Sequence, residues 1–373
     1  LITPDPHAVN GSSASISGDG WVDVRRFRLV GGGELNATWT DNNSWQVNVP
    51  VTLGANVITI EALDFSGEVI GTDTITVNNT SSVEPSSAAN LVISEIMYHP
   101  SPLTPGEMAA GFLDESAFEF IELMNIGNNE VELNGAQFIS GINYALPATV
   151  IPVGGRVVIA RSRSGFLSRY PGNSAMLLPG EYAIADTNKL SNGGEMIALV
   201  DASGSDIRTF SYDDDFPWPI DADGAGFSIV LINPDTNPDH AMSSNWRSST
   251  TAGGNPGSDD SVNFSGDPNG DDDGDGLSNF LEHALGVDSP VFEARADPER
   301  AGGLLFTFPG NLAADDVVLE VQSSTDLRNW TTARSTMIES ASQGNGIALE
   351  TWAIAPPLES PGKLYVRLKA IQR

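Results

Sequence analysis

Cysteine is missing from all 373 residues, which removes disulfides, thiolate nucleophiles and thiolate metal sites together. Positive charge is scarce as well: 18 Lys and Arg stand against 49 Asp and Glu, for a formal net charge of −31. The only lysines are Lys189, Lys363 and Lys369. A surface of that sign repels phosphate backbones, so nucleic acid is not an expected partner. It does keep a chain soluble and draw cations to it. No apolar run nears the roughly 20 residues that span a bilayer, so membrane insertion is not expected either. A charged n-region followed by an apolar h-region is also lacking. The opening Leu1-Ile2-Thr3-Pro4 reads as that of a mature, processed or excised piece of a longer polypeptide. A secreted chain without disulfides needs other staples, and bound metal is one of them.

What is present is β pattern. With 40% hydrophobic residues the chain can build several compact cores, and its length predicts two to four domains. Over residues 1–78, Val57-Ile58-Thr59-Ile60-Glu61-Ala62 and Thr74-Ile75-Thr76-Val77 are β-branched runs of period two. Gly18-Asp19-Gly20, Gly31-Gly32-Gly33 and Asp41-Asn42-Asn43 punctuate them as turns, which predicts a small sandwich. Residues 79–90, rich in Ser, Asn and Thr, read as a linker. Residues 91–256 return to strands, with a hairpin expected across Asp201-Ala202-Ser203-Gly204 and a short helix over Arg163–Tyr170. Residues 257–300 turn to Asp, Gly, Asn and Pro. Residues 301–373 are β again, with Leu364, Val366 and Leu368 alternating against Tyr365, Arg367 and Lys369.

Three resemblances follow from particular residues. Trp45-Gln46-Val47-Asn48-Val49 followed by Leu53-Gly54-Ala55-Asn56-Val57-Ile58 resembles the last strands of bacterial immunoglobulin-like modules. The ordered motifs Ile93-Ser94-Glu95-Ile96-Met97-Tyr98-His99-Pro100, Phe120-Ile121-Glu122-Leu123-Met124-Asn125, Leu190-Ser191-Asn192-Gly193-Gly194-Glu195 and Trp218-Pro219 followed by Ala222-Asp223-Gly224-Ala225-Gly226-Phe227-Ser228 resemble a bacterial lamin-tail domain. That resemblance implies an immunoglobulin-like sandwich, a binding or scaffolding role and no known chemistry. Ser101–Ser116 is an insertion in that pattern, expected as an exposed loop. Finally, Val321-Gln322-Ser323-Ser324-Thr325-Asp326-Leu327-Arg328-Asn329-Trp330 is similar to a strand-turn of C-terminal β domains in large secreted bacterial proteins.

The clearest chemical signal is Asp271-Asp272-Asp273-Gly274-Asp275-Gly276-Leu277-Ser278-Asn279-Phe280-Leu281-Glu282. Carboxylates at loop positions one, three and five, Gly at six, Asn at nine and Glu at twelve give the spacing of a calcium loop. Ca²⁺ takes six to eight hard oxygens at about 2.3–2.6 Å, and alternate residues of a tight loop aim their side chains inward. The expected ligands are Asp271, Asp273, Asp275, the Leu277 carbonyl, Asn279 and Glu282; Asp267 and Asn269 continue the alternation and are candidates for a second or shared ion. Asn279–Leu285 predicts a helix ended by Gly286. No helix precedes the loop, so it is half an EF-hand, similar to thrombospondin type 3 and dockerin repeats. Ser278 stands where EF-hands carry an aliphatic residue, a departure that fits the thrombospondin-like loops better.

Other candidates read as structural. Asp213, Asp214, Asp215, Asp221 and Asp223 are expected to cap turns. Glu95, Glu119 and Glu122, which alternate with apolar residues, are expected to face outward. His7, His99, His240 and His283 sit in no metal or nucleophile motif, and Trp39, Trp45, Trp218, Trp246, Trp330 and Trp352 are expected as core anchors. The sequence thus predicts an all-β chain of three tandem immunoglobulin-like sandwiches (1–78, 91–256 and 301–373) with a calcium-binding loop and short helix over 257–300. The function expected is a non-catalytic stalk, adhesion or display segment of a secreted or cell-surface bacterial protein. Its expected partners are other modules of the same parent, a cell-surface or matrix polymer, or itself. A fragment of an extracellular hydrolase and a subunit of a self-assembling surface fibre are the alternatives.

Overall fold

The computed structural model describes residue 2 and residues 8–182, 188–356 and 363–373; His7 and residues 357–362 lie outside them. Strands dominate and fall into several sheets, with three short α-helices among the described residues. The chain divides into two compact units, Leu1–Ser94 with Ala117–Tyr212 and Pro234–Ala241, and Glu95–Ser116 with Asp213–Asn233 and Met242–Arg373.

The first unit begins with a sandwich. Ser13–Asp19 pairs antiparallel with Ser44–Pro50, and in both strands buried and exposed residues alternate. A second sheet runs in the order Ala8–Val9, Val69–Asn79, Gly54–Leu63, Arg26–Leu29, Glu34–Leu35. The alternation sends Ala14, Ile16, Trp45, Val47 and Val49 from one sheet into the same core as Phe27, Ile58, Ile60 and Val77 from the other. Burial of such side chains stabilises by about 1.5–3 kcal/mol each before entropy is subtracted. The Phe27 and Trp45 rings meet at 4.4 Å.

The Ser-rich stretch after this sandwich is only partly a connector. Glu84–Pro85 pairs in parallel with Val131–Glu132, and Ser86 and Asn90 are buried. Beyond it, Phe120–Asn125 pairs with Arg156–Ala160, and Glu195–Val200 with Asp206–Tyr212 forms the hairpin read from the sequence. The helix Arg163–Arg169 is capped by the Ser162 hydroxyl.

In the second unit, Glu95 and Ile96 pair with Ile229–Leu231, and that strand pairs with Trp246–Ser248. Ser101–Ser116, the expected exposed loop, carries a five-residue helix, Pro105–Ala109, with no buried residue. The C-terminal sandwich has one sheet ordered Glu293–Ala296, Leu304–Asn311, Ile347–Ile354, Ser335–Ser342 and another ordered Thr331–Thr332, Val317–Ser324, Tyr365–Gln372. Its core takes in the helix Asn279–Leu285: Leu285 joins Phe306, Phe308, Val321 and Ile354, while Phe280 and Ala284 join Ala314 and Val317. The Asp-rich stretch is therefore built onto this sandwich at both its ends. Glu293–Ala296 is an edge strand, and Phe264 packs its ring at 5.0 Å from Phe280.

Candidate metal centre

Short Asx turns shape the loop from within. Asp271 accepts the amides of Gly274 at 2.8 Å and Gly276 at 3.1 Å. Asp273 accepts that of Asp275 at 3.1 Å, and Asp275 that of Leu277 at 2.7 Å. Gly276 takes φ +96°, a conformation that only glycine adopts without strain. The result brings one carboxylate oxygen from each of Asp271, Asp273 and Asp275 within 4.8 Å of the other two. Two ligands bound at about 2.4 Å from one ion are at most about 4.8 Å apart, so this spread fits a shared Ca²⁺. Each carboxylate keeps spare lone pairs beyond the amides it accepts. Calcium would supply the missing positive charge.

The helix carries the fourth acidic group. Ser278 caps it through the Leu281 amide, and Gly286 closes it at φ +69°. Burial, and then the charges of Asp273, Asp275, Asp288 and Asp271, raise the Glu282 carboxyl above its ordinary range. Its position one turn into the helix thus exposes it to the field of the three aspartates. Asn279 is placed differently: its Oδ1 accepts the Asp272 amide at 3.1 Å and its own amide reaches the Gly270 carbonyl at 2.8 Å. It braces the loop's entry. Asp267 makes an Asx turn with the Asn269 amide at 3.0 Å, and its carbonyl takes the Gly270 amide. Asp267 does not join the group of three acidic residues. Leu277 sits between the last aspartate and the helix cap.

The second acidic run also clusters, with one oxygen each of Asp213, Asp214 and Asp215 within 4.8 Å. Asp213 caps the turn through the Asp215 amide at 3.1 Å. Asp223 pairs with His99 Nδ1 at 2.5 Å, and Asp221 accepts the Ser342 amide at 2.9 Å. Trp45, Trp218 and Trp246 are buried as expected, while Trp39 keeps 38% of its surface.

The three glutamates overturn their expectation: Glu95, Glu119 and Glu122 are buried. Alternation implies a wet face only where one side of a sheet is open, and Leu91–Met97 and Phe120–Asn125 are buried at every residue. Each carboxylate has its own donors. Glu95 accepts the Ser228 hydroxyl at 2.5 Å and the Asn255 amide at 3.0 Å. Glu122 accepts the Ser94 hydroxyl at 2.7 Å and lies 3.1 Å from Arg156 Nε. Glu119 accepts the Leu190 amide at 2.9 Å and the Tyr182 hydroxyl at 3.2 Å. Burial nevertheless pushes the Glu119 carboxyl up to about 8. Each serves as an interior pin held by the donors around it.

Sequence reasoning missed Arg247, which is buried between two aspartates. Its Nε and Nη2 bind Asp315 at 2.7 and 3.1 Å, and Nη1 binds Asp260 at 2.8 Å. Asp260 also accepts the amide and hydroxyl of Thr250.

These features define a class: an all-β chain of immunoglobulin-like sandwiches, a fold typically without catalysis, and no enzyme family is indicated. More particularly, residues 84–214 match the family model described as Lamin Tail Domain. No curated relative matches the chain. Among solved structures it is similar to the crystal structure of an ICAM-5 D1-D4 ectodomain fragment, at 8% identity and a TM-score of 0.15, covering 98% of this chain and 75% of that one. Among the described residues, no helix is long and apolar enough to cross a membrane.

Proposed function

We propose that the chain is a non-catalytic structural segment, a stalk, adhesion or display piece of a secreted or cell-surface bacterial protein, whose Asp271–Glu282 loop binds calcium to stiffen it. The observation that carries this reading is the continuity of the loop with the core. The residues after Asp275 lead directly into Asn279–Leu285, whose Phe280, Ala284 and Leu285 are buried in the C-terminal sandwich. An ion that gathers Asp271, Asp273, Asp275 and Glu282 ties a Gly-rich, exposed stretch to that core. It also removes the mutual repulsion of four carboxylates. Metal binding to such a loop is folding energy, so its role is ordering. Other modules of the parent protein, a surface or matrix polymer, or a second copy are the partners such a segment takes. Asp267 and Asn269 remain candidates for a further ion.

Calcium titration of the chelator-stripped chain tests this. A hundredfold excess over Kd should add about 2.7 kcal/mol of stability, seen as a rise in Tm, and should protect Gly270–Gly276 from protease. Asp273→Ala with Glu282→Ala should lose both responses. Identical melting and cleavage with calcium and with chelator would overturn the proposal.

A further inference from the structure

The first sandwich contains a cavity of about 660 Å³ that the calcium reading does not use. It lies wholly within the first unit, and its residues come from the Asp19–Phe27, Ile60–Ser66 and Ile70–Asp73 stretches together with Ile2 and Trp45. Its volume falls in the range of small-molecule sites, about 300–1,000 Å³.

Four aromatic rings line it: Trp21, Phe27, Trp45 and Phe65. Phe27 and Trp45 are core residues, but Trp21 and Phe65 each keep 77% of their surface exposed. Single exposed apolar residues are common on any protein. Two large rings standing in water beside a cavity floored by buried rings are a different arrangement, because they can close on a ligand. The Trp45 Nε1–H is sealed in the wall and meets no acceptor among the described residues, so this ring offers a ligand apolar surface only.

The polar part of the lining is of one sign. Asp19, Asp23, Asp64 and Asp73 contribute carboxylates, and none of the described lining residues is Lys, Arg or His. Asp23 is exposed and makes no hydrogen bond among the described residues. Asp64 accepts the Ser66 amide, the Ser66 hydroxyl and the Glu68 amide all on Oδ1, which leaves Oδ2 available. The Ser66 hydroxyl foremost, with the Glu68 amide, holds the Asp64 carboxyl below its ordinary range, so it stays charged. Asp73 is more committed, accepting the Ile2 amide at 2.8 Å and the Thr74 amide at 2.9 Å.

Charge complementarity selects the occupant. An anion is repelled by four carboxylates, and a neutral apolar ligand would strip water from them without return. A cation carried on an apolar body satisfies both features, stacking on the rings while its charge faces the aspartates. The chain already does this once at the same place: the Arg25 guanidinium lies 5.4 Å from the centroid of the Phe65 ring. We infer that the first sandwich is a binding module for an organic cation, an alkylammonium or guanidinium group, held between Trp21 and Phe65 and neutralised by Asp23 and Asp64. This goes beyond the calcium reading and does not depend on it.

The test uses the whole chain and tryptophan fluorescence. One arm titrates choline, a free quaternary ammonium; the other titrates N-acetyl-arginine amide, which stands for a basic side chain of a polypeptide. Saturable binding in either arm supports the site, and the arm that binds more tightly names the source. Trp21→Ala and Asp23→Asn, both at exposed positions, should each weaken binding about two- to fivefold, the weight of one exposed cation–π contact for the first and of one exposed ion pair for the second. Raising salt from about 0.01 to 0.15 M, which shortens the Debye length from about 30 to 8 Å, should weaken it further. Overturning results are no saturation by either cation, equal binding of 3,3-dimethylbutan-1-ol (the neutral isostere of choline) or of glucose, or unchanged affinity in Trp21→Ala.

Discussion

Asp260 and Asp315 are buried around Arg247, whereas Asp271, Asp273 and Asp275 stand exposed on a loop. Both groups gather like charges in one small space, within the same unit. At the first, the chain itself supplies the cation, in a geometry where nearly every donor of the guanidinium is used. At the second, no Lys or Arg is paired with the aspartates among the described residues. Desolvation explains the difference. A carboxylate taken from water costs several kcal/mol unless a partner is fixed beside it, so a buried site must carry its counter-charge permanently. An exposed loop keeps its hydration and can leave the counter-charge to a dissolved ion, which makes its order depend on the medium.

Removing the built-in cation is the largest way to break this contrast. Arg247→Ala leaves two carboxylates buried without a partner and should cost about 3–5 kcal/mol, read as a lower midpoint in urea unfolding. Unchanged stability would mean that water reaches Asp260 and Asp315 freely. Glu119 sharpens the comparison, because it is buried with hydrogen-bond donors and, among the described residues, no ion pair. Its carboxyl rises from an ordinary 4.5 to about 8. Between those values the folded chain holds a proton that the unfolded chain has lost, so stability should fall as pH rises through that window, by about 1.4 kcal/mol per unit at most. Glu119→Gln should flatten that slope in unfolding measured at pH 5 and pH 8. The smallest effect belongs to the loop: Gly276→Ala forces a side chain onto φ +96° and should cost about 1 kcal/mol. In a calcium titration the same variant should bind less tightly than the parent.

Much of the fold was legible because local chemistry and tertiary packing agree. Period-two runs became the sandwich strands, Asp201–Gly204 became a hairpin turn, and Ser278 and Gly286 bound the helix that follows the Asp-rich loop. The grouping of Asp271, Asp273 and Asp275 was equally legible, since it is made by contacts two to five residues long. The missed features are made over distance. Glu119 finds its partners 63 and 71 residues away, and Arg247 finds Asp315 at a separation of 68. No local period encodes such contacts. Alternation misled at Glu95, Glu119 and Glu122 because it reports which side a residue faces, while the covering of both sides is decided elsewhere in the chain. Trp21, which no sequence motif singles out, acquires its interest from Phe65, which the fold brings to the same cavity.

Asp315 and Asp316 are neighbours that face opposite tasks. Asp315 grips Arg247 of the strand Trp246–Ser248, while Asp316 holds His283 Nε2 at 3.0 Å and the Phe264 amide at 2.8 Å. One peptide link therefore joins the fastening of that strand to the fastening of the helix that leaves the Asp-rich loop. Under tension, a pull on either would load the same two residues, and the bonds on both sides would share the force.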